Sequence, residues 1–214
     1  MSLCVFVAAL AGLSTSSPSD FVDLTIGNAK VPLGPQTPHG SVNPGPDTLN
    51  PSNSGYEDGQ PIHGFAQLRA QGTGWWTYGN LLVMPQNQLE FRRDARASEK
   101  KGEVAEVGRY EVTLAKSGIK VEVASSEHVG FYRFTYPKSP FSFVIFDQAT
   151  SLGQACPWWS HKIFEEGEIR IDPRQGTLEG WSRYKEGDRP YTAYFAAKLM
   201  VETPRHGLWE GDVI

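Results

Sequence analysis

Alternation of apolar and polar residues is the clearest signal along the chain. Residues 110–114 read Tyr-Glu-Val-Thr-Leu and residues 119–123 read Ile-Lys-Val-Glu-Val, joined by residues 115–118, which end in Gly118. A period of two puts each apolar set on one face, and a short Gly-containing connection makes the pair an antiparallel hairpin. Residues 129–136, the nearly all-apolar 141–146, 168–171, 177–184 and 191–201 follow as further strands separated by turn residues. That spacing predicts a mainly β protein, an antiparallel β-sandwich whose two sheets bury alternate side chains and leave loops at the rims. No stretch sustains a helical period. The best helical segment, residues 94–107, is charged and interrupted by Gly102, so it is expected to be solvated loop with about one helical turn.

Up to about Arg92 the pattern is different. Gly34-Pro35, Asn43-Pro44-Gly45-Pro46, Asn50-Pro51 and Asp58-Gly59 are turn and breaker combinations that exclude a long helix and interrupt any ladder. The interleaved Phe21, Val22, Ile26, Val31, Val42 and Tyr56 are anchors a free linker would not need, so this half is expected to be long ordered loops. At the very start, residues 3–13 (LCVFVAALAGL) are apolar and lead into a Ser/Thr/Pro run over residues 14–19. This is the form of a secretory signal, although it lacks the usual Lys or Arg, and it implies a secreted or periplasmic protein. Eleven residues are too few to span a bilayer. Residues 1–19 are thus expected to be a signal segment, and residues 20–214 one domain. Cys4 and Cys156 are the only cysteines, which gives no disulfide framework.

A formal net charge of −4 without a basic cluster excludes the electrostatic footprint of a nucleic-acid partner. The aromatic content, with six Trp and eight Tyr, points instead to loops that present flat rings. One loop does so directly: Gln71-Gly72-Thr73-Gly74-Trp75-Trp76-Thr77-Tyr78-Gly79-Asn80, between a strand ending near Arg69 and a strand over residues 81–84. Its glycines let backbone approach a ligand closely, and an indole offers an apolar face to the C–H groups of a sugar. Adjacent residues of an extended chain point to opposite faces, so at most one of Trp75 and Trp76 is a core residue. The phosphate-cradle alternative fails because neither a helix start nor a Lys follows. A second segment, residues 37–48, carries His39, Gly40, Ser41, Asn43, Asp47 and Thr48, groups able to hydrogen-bond hydroxyls. Taken singly, Asp47 before Thr48 more often forms a turn or cap, and His39 and His63 lack metal-ligand spacing.

Catalysis is harder to place. A glycosidase needs two carboxyls flanking the scissile bond. Glu103, Glu106, Glu111, Glu122, Asp147, Glu165, Glu166 and Glu168 read as solvated positions, and none forms an evident pair. Cys156 has only His161 nearby, and no Gly-x-Ser-x-Gly elbow occurs.

In order along the chain, Phe21-Val22-Asp23-Leu24-Thr25-Ile26-Gly27, Pro38-His39-Gly40, Pro46-Asp47-Thr48, Ser54-Gly55-Tyr56, Ile62-His63-Gly64-Phe65, Gly72-Thr73-Gly74 and Tyr78-Gly79-Asn80 are followed by Gly108-Arg109-Tyr110, Val129-Gly130-Phe131-Tyr132-Arg133-Phe134 and Arg189-Pro190-Tyr191-Thr192-Ala193-Tyr194-Phe195. This series resembles the N-terminal region of glycoside hydrolase family 92, the α-mannosidases. The resemblance implies a galactose-mutarotase-like β-sandwich, joined in the family to an (α/α)6 barrel that supplies the acid, the base and most ligands of a calcium ion; this stretch would lack that barrel, be inactive alone and need no cofactor of its own. It also implies an α-mannoside or other glycan as ligand, contacted by His39, Gly40, Asp47, Gly72, Thr73, Gly74, Trp75 and Trp76. The chain departs from the family where Pro32-Leu33-Gly34 and Ala66-Gln67-Leu68-Arg69 replace its usual runs. A free-standing carbohydrate-binding module, stacking sugars on Trp75, Trp76, Trp158 and Trp159, and an inert remnant are the alternatives that the same rings and sheets allow. In isolation, such a domain is expected to expose the apolar surface that would pack on a barrel.

Overall fold

In a computed structural model the chain is described over residues 16–26, 33–51, 54–70, 76–152, 162–186, 189–202 and 205–210. The apolar leader, both cysteines, His161, Trp158 and Trp159 lie outside those residues. Thirteen strands occur among the described residues, all paired antiparallel. One four-stranded sheet combines β1 (Gly45–Thr48), β2 (Ile62–Ala66), β5 (Leu82–Gln86) and β10 (Phe143–Asp147) in the order β1-β2-β5-β10. The other is a meander of β6 (Lys100–Glu106), β7 (Arg109–Leu114), β8 (Lys120–Ser125) and β9 (Gly130–Thr135). A two-stranded ribbon pairs β3 (Leu68–Arg69) with β4 (Tyr78–Asn80), and a long three-stranded sheet joins β11 (Lys162–Asp172), β12 (Thr177–Glu186) and β13 (Arg189–Lys198). No helix among the described residues is long and apolar enough to cross a membrane.

The core lies between the two four-stranded sheets. Ile62, Phe65, Leu82 and Met84 from the first meet Tyr110, Val112, Leu114, Val121 and Val123 from the meander, and the Phe65 and Tyr110 rings sit 6.4 Å apart. The alternation in β7 and β8 reads directly onto this core: Tyr110, Val112 and Leu114 are buried, whereas Glu111 and Thr113 are not. On the outer face Glu111 takes Lys120 at 2.9 Å across the ladder and also pairs with Arg109, two residues before it on the same strand. In β2 and β5 every residue is buried, so both faces of that sheet are covered. Pro46 sits in β1, which is an edge strand, where its missing N–H costs no ladder bond.

Two expectations are corrected. Residues 94–107 do contain one helical turn, α1 (Arg93–Arg96), but residues 100–106 are strand β6, not loop. Its burial is that of an edge strand, with Lys101, Val104 and Glu106 outward, and a bulge between Lys101 and Val104 absorbs Gly102 at φ +62°. Glu103 is not a solvated carboxylate: Tyr110 Oη donates to it at 2.5 Å and Tyr56 Oη at 2.8 Å, while Lys100 Nζ donates to Tyr56 Oη at 2.7 Å. Burial, and next the hydrogen bond to Glu103, raise the Tyr56 phenol; burial and the charge of Glu103 raise that of Tyr110, so both stay protonated donors.

Candidate functional site

Residues 70–77 connect β3 to β4, so the Gly/Trp loop is the tip of a short ribbon, not a link to residues 81–84. Gly72, Thr73, Gly74 and Trp75 lie outside the described residues, and Trp76 is half-buried. The described residues on either side of it are Arg69 and Tyr78.

The first end is Arg69. Its side chain is fully buried; Nη2 donates to the Gly45 carbonyl at 2.5 Å and to Asp47 Oδ1 at 2.7 Å. A guanidinium held this way leaves no room for neighbouring side chains. A Cβ on Gly55, at φ +93°, would overlap Asp47 Oδ1, and one on Gly45 would lie 2.9 Å from Arg69 Nη1. Both glycines thus serve close approach of backbone to a buried charge. Segment 43–47 and the Gly/Trp loop, two separate motifs in the sequence, share Arg69 as a common base. Asp47 itself is 1% exposed and faces the guanidinium, not solvent.

Around the pair lies a wider buried polar cluster. Arg96 ties the first four-stranded sheet to α1, donating to the His63 carbonyl at 3.0 Å, the Phe91 carbonyl at 3.1 Å and Asp147 Oδ2 at 2.7 Å. Arg93 Nη2 donates to His63 Nε2 at 3.1 Å, which assigns the ring proton to Nδ1. Burial, then the positive charges of Arg93 and Arg96, hold His63 well below its usual range, so it is neutral. Burial pushes the Asp47 carboxyl up to about 6, against the pull of Arg69 and Arg93. At neutral pH, Asp47 is ionised within a group of three arginines. Asp47 and Asp147 are each locked onto a guanidinium, so neither is poised to protonate or activate anything in a cleft.

The second end of the loop is clamped by aromatic packing. Tyr78 meets Tyr191 edge-on at 5.4 Å, Tyr191 stacks on Tyr184 at 5.2 Å, and Phe164 meets Tyr184 edge-on at 5.9 Å. Tyr191 Oη donates to Asn80 Oδ1 at 3.1 Å, and Asn80 Nδ2 donates to the Thr150 carbonyl at 3.3 Å. Tyr78, Gly79 and Leu81 all have positive φ, at 66°, 72° and 58°, a conformation that non-Gly residues adopt only where the surroundings impose it. At Gly79 a Cβ would overlap the Leu152 side chain. β4 is thereby fastened to β13.

His39 and Gly40 occupy a different niche. His39 is exposed at φ +61°, and a Cβ on Gly40 would come within 2.5 Å of Thr37 Oγ1 and 3.0 Å of the Glu127 carbonyl. Ser41 N donates to that carbonyl at 2.6 Å and Ser41 Oγ meets His128 Nδ1 at 2.9 Å, docking the segment on the β8–β9 turn. Arg93 and Arg96 were not singled out by the sequence, and Arg69 and Tyr191 stood only within longer runs without a role of their own. A lone Arg ending an apolar strand was the one available signal. Among the described residues no group of three or more His, Cys, Asp or Glu side chains is placed to hold a metal ion.

Residues 21–214 match the glycosyl hydrolase family 92 N-terminal domain. No curated protein matches the chain. The family GH92 α-mannosidase BT3965 from Bacteroides thetaiotaomicron superposes with a TM-score of 0.74 at 26% identity, over 85% of this chain and 25% of that one. The same enzyme in complex with mannoimidazole gives 0.72 at 26% identity, over 83% and 24%. The chain thus spans about a quarter of the length of that relative. It belongs to glycoside hydrolase family 92, of which it forms the N-terminal domain.

Proposed function

We propose that this domain supplies one wall of a saccharide pocket, in which the Gly72–Trp76 loop and the His39–Asp47 segment contact an α-mannoside, while proton transfer and calcium belong to polypeptide outside it. The observation that carries this reading is the double fastening of the loop. A buried Arg69–Asp47 pair holds one end and the Tyr78–Tyr191–Tyr184 stack the other, the preorganisation a binding loop needs. The mannoimidazole complex of the family relative supports a glycan as ligand. In this reading Asp47 acts as a positioning residue, since it is buried against Arg69. In this reading the domain alone does not cleave glycosides, since Asp47 and the half-buried Asp147 are each committed to an arginine. It works outside the cytoplasm, as the apolar leader implies.

Titrating α-linked mannobiose against the intact chain while following Trp fluorescence tests the reading. Saturable quenching in the millimolar range, lost in Trp75→Ala or Trp76→Ala variants of unchanged circular dichroism, is the expected result. Absence of quenching in the parent chain would refute it.

A further inference from the structure

The outer face of the three-stranded sheet carries three cross-strand rows that the loop does not use. The central row is Glu168, Trp181 and Tyr194, in register across β11, β12 and β13. Arg170, Glu179 and Ala196 form the row on one side, and Glu166, Arg183 and Thr192 the row on the other. Side chains two residues apart share a face, so these nine positions make one surface. Tyr194 is 77% exposed beside a half-buried Trp181. Trp181 hydrogen-bonds Glu168, and Arg170 Nε donates to Glu168 Oε1 at 2.7 Å. Glu168, Arg170, Glu179, Trp181 and Tyr194 line an open depression of about 290 Å³.

The composition selects among occupants. Five of the nine positions are charged and none is a large aliphatic residue, whereas the core of a protein interface is depleted in Glu and other charges. Trp181 and Tyr194, directly opposite each other, add flat aromatic area to that charged rim. A sugar ring has both properties at once: an apolar C–H face for the rings and a rim of hydroxyls for Glu168 and Arg170. We propose that the outer face of β11–β13 is a second saccharide-binding surface, a shallow platform on Trp181 and Tyr194 for a neutral oligosaccharide, separate from the Gly/Trp loop. Being open, it binds weakly, and it would act on chains long enough to occupy it and the loop together.

Affinity electrophoresis of the intact chain through gels containing an α-linked mannan tests the proposal, run beside Trp181→Ala, Tyr194→Ala and Trp76→Ala. Tyr194 is largely exposed, so its variant reports even where the Trp181 variant is unstable. Retardation weakened about tenfold in Tyr194→Ala or in a folded Trp181→Ala, with mannobiose quenching at the loop unchanged, is the expected result. Unaltered retardation in Tyr194→Ala and a folded Trp181→Ala, or none in the parent chain, overturns the proposal. Loss of mannobiose quenching in Trp76→Ala concerns the loop alone, so the two readings fail separately.

Discussion

Replacing Arg69 by Met removes the guanidinium that neutralises Asp47 and leaves a carboxyl of 1% exposure without it. Two charge-assisted hydrogen bonds go with it, to Asp47 and to the Gly45 carbonyl. Removing one partner of a buried ion pair costs about 3–5 kcal/mol, and the apolar stem of Met retains part of the packing, which places the loss near 4 kcal/mol at pH 7. The loss is pH-dependent. In the parent chain Asp47 titrates at about 6, so at pH 5 it is mostly protonated and the pair is already a neutral acid on a guanidinium. Without Arg69 the carboxyl stays protonated at both pH values. Between pH 5 and pH 7 the parent therefore loses less stability than the variant, by about 1.4 kcal/mol for the one unit between 6 and 7. Urea unfolding followed by Trp fluorescence at the two pH values measures this, with Asp47→Asn and the double variant completing a cycle. Losses near 4 kcal/mol at pH 7 and 2.5 kcal/mol at pH 5, with a strongly non-additive double variant, are expected. A loss below about 1 kcal/mol at both pH values, or simple additivity, would refute the assignment of Arg69 as the base of the loop.

The remaining predictions concern the same neighbourhood. Asp47 has a folded pKa above its unfolded one, so its contribution is complete below about pH 4 and is lost as pH rises through about 6, roughly 3 kcal/mol for a two-unit shift. Neutral His63 acts with the opposite sign, its contribution being complete above its ordinary value of 6.5 and lost as pH falls. Asp47→Asn should therefore make stability climb more steeply between pH 4 and pH 6 than in the parent; a parallel profile of melting temperature against pH would count against the shift. Gly79→Ala, at φ +72° and against Leu152, should cost about 2–4 kcal/mol, and a cost under 0.5 kcal/mol would show that the ribbon is not held there. Tyr191→Phe keeps the stack but withdraws the donor from Asn80, and should cost about 1 kcal/mol and weaken mannobiose binding; unchanged values for both would remove the aromatic clamp from the account.

Where one face of a strand is buried and the other wet, the sequence shows it, as in β7 and β8, whose alternation matches their burial residue by residue. Strands covered on both faces leave no such trace. Gly-Pro-Asp-Thr in β1 and Ile-His-Gly-Phe-Ala in β2 carry turn residues and a histidine, and are strands because the sheet and its polar covering surround them. β6 was hidden for the opposite reason: its charges sit on an edge strand whose outer face is solvated. β11 begins at Lys162, six residues before the alternating stretch, because Glu165 and Glu166 are exposed in an outlying sheet. β13 stops at Lys198, short of residue 201. In the site, Asp47 was visible as a polar residue among hydroxyl-binding groups, but its partner was not. Arg69 lies 22 positions away and is joined to it only when β1 and β3 come together, a contact that no local period encodes.

The stretch between β3 and β4 is the part of the chain proposed to meet a sugar. Recording amide ¹⁵N–¹H spectra of the labelled chain during addition of α-linked mannobiose tests this directly. Progressive, saturable shifts centred on residues 70–80 and on Tyr191 are the predicted result. A chain whose amides in that stretch stay fixed at saturating disaccharide, whatever moves elsewhere, would contradict it.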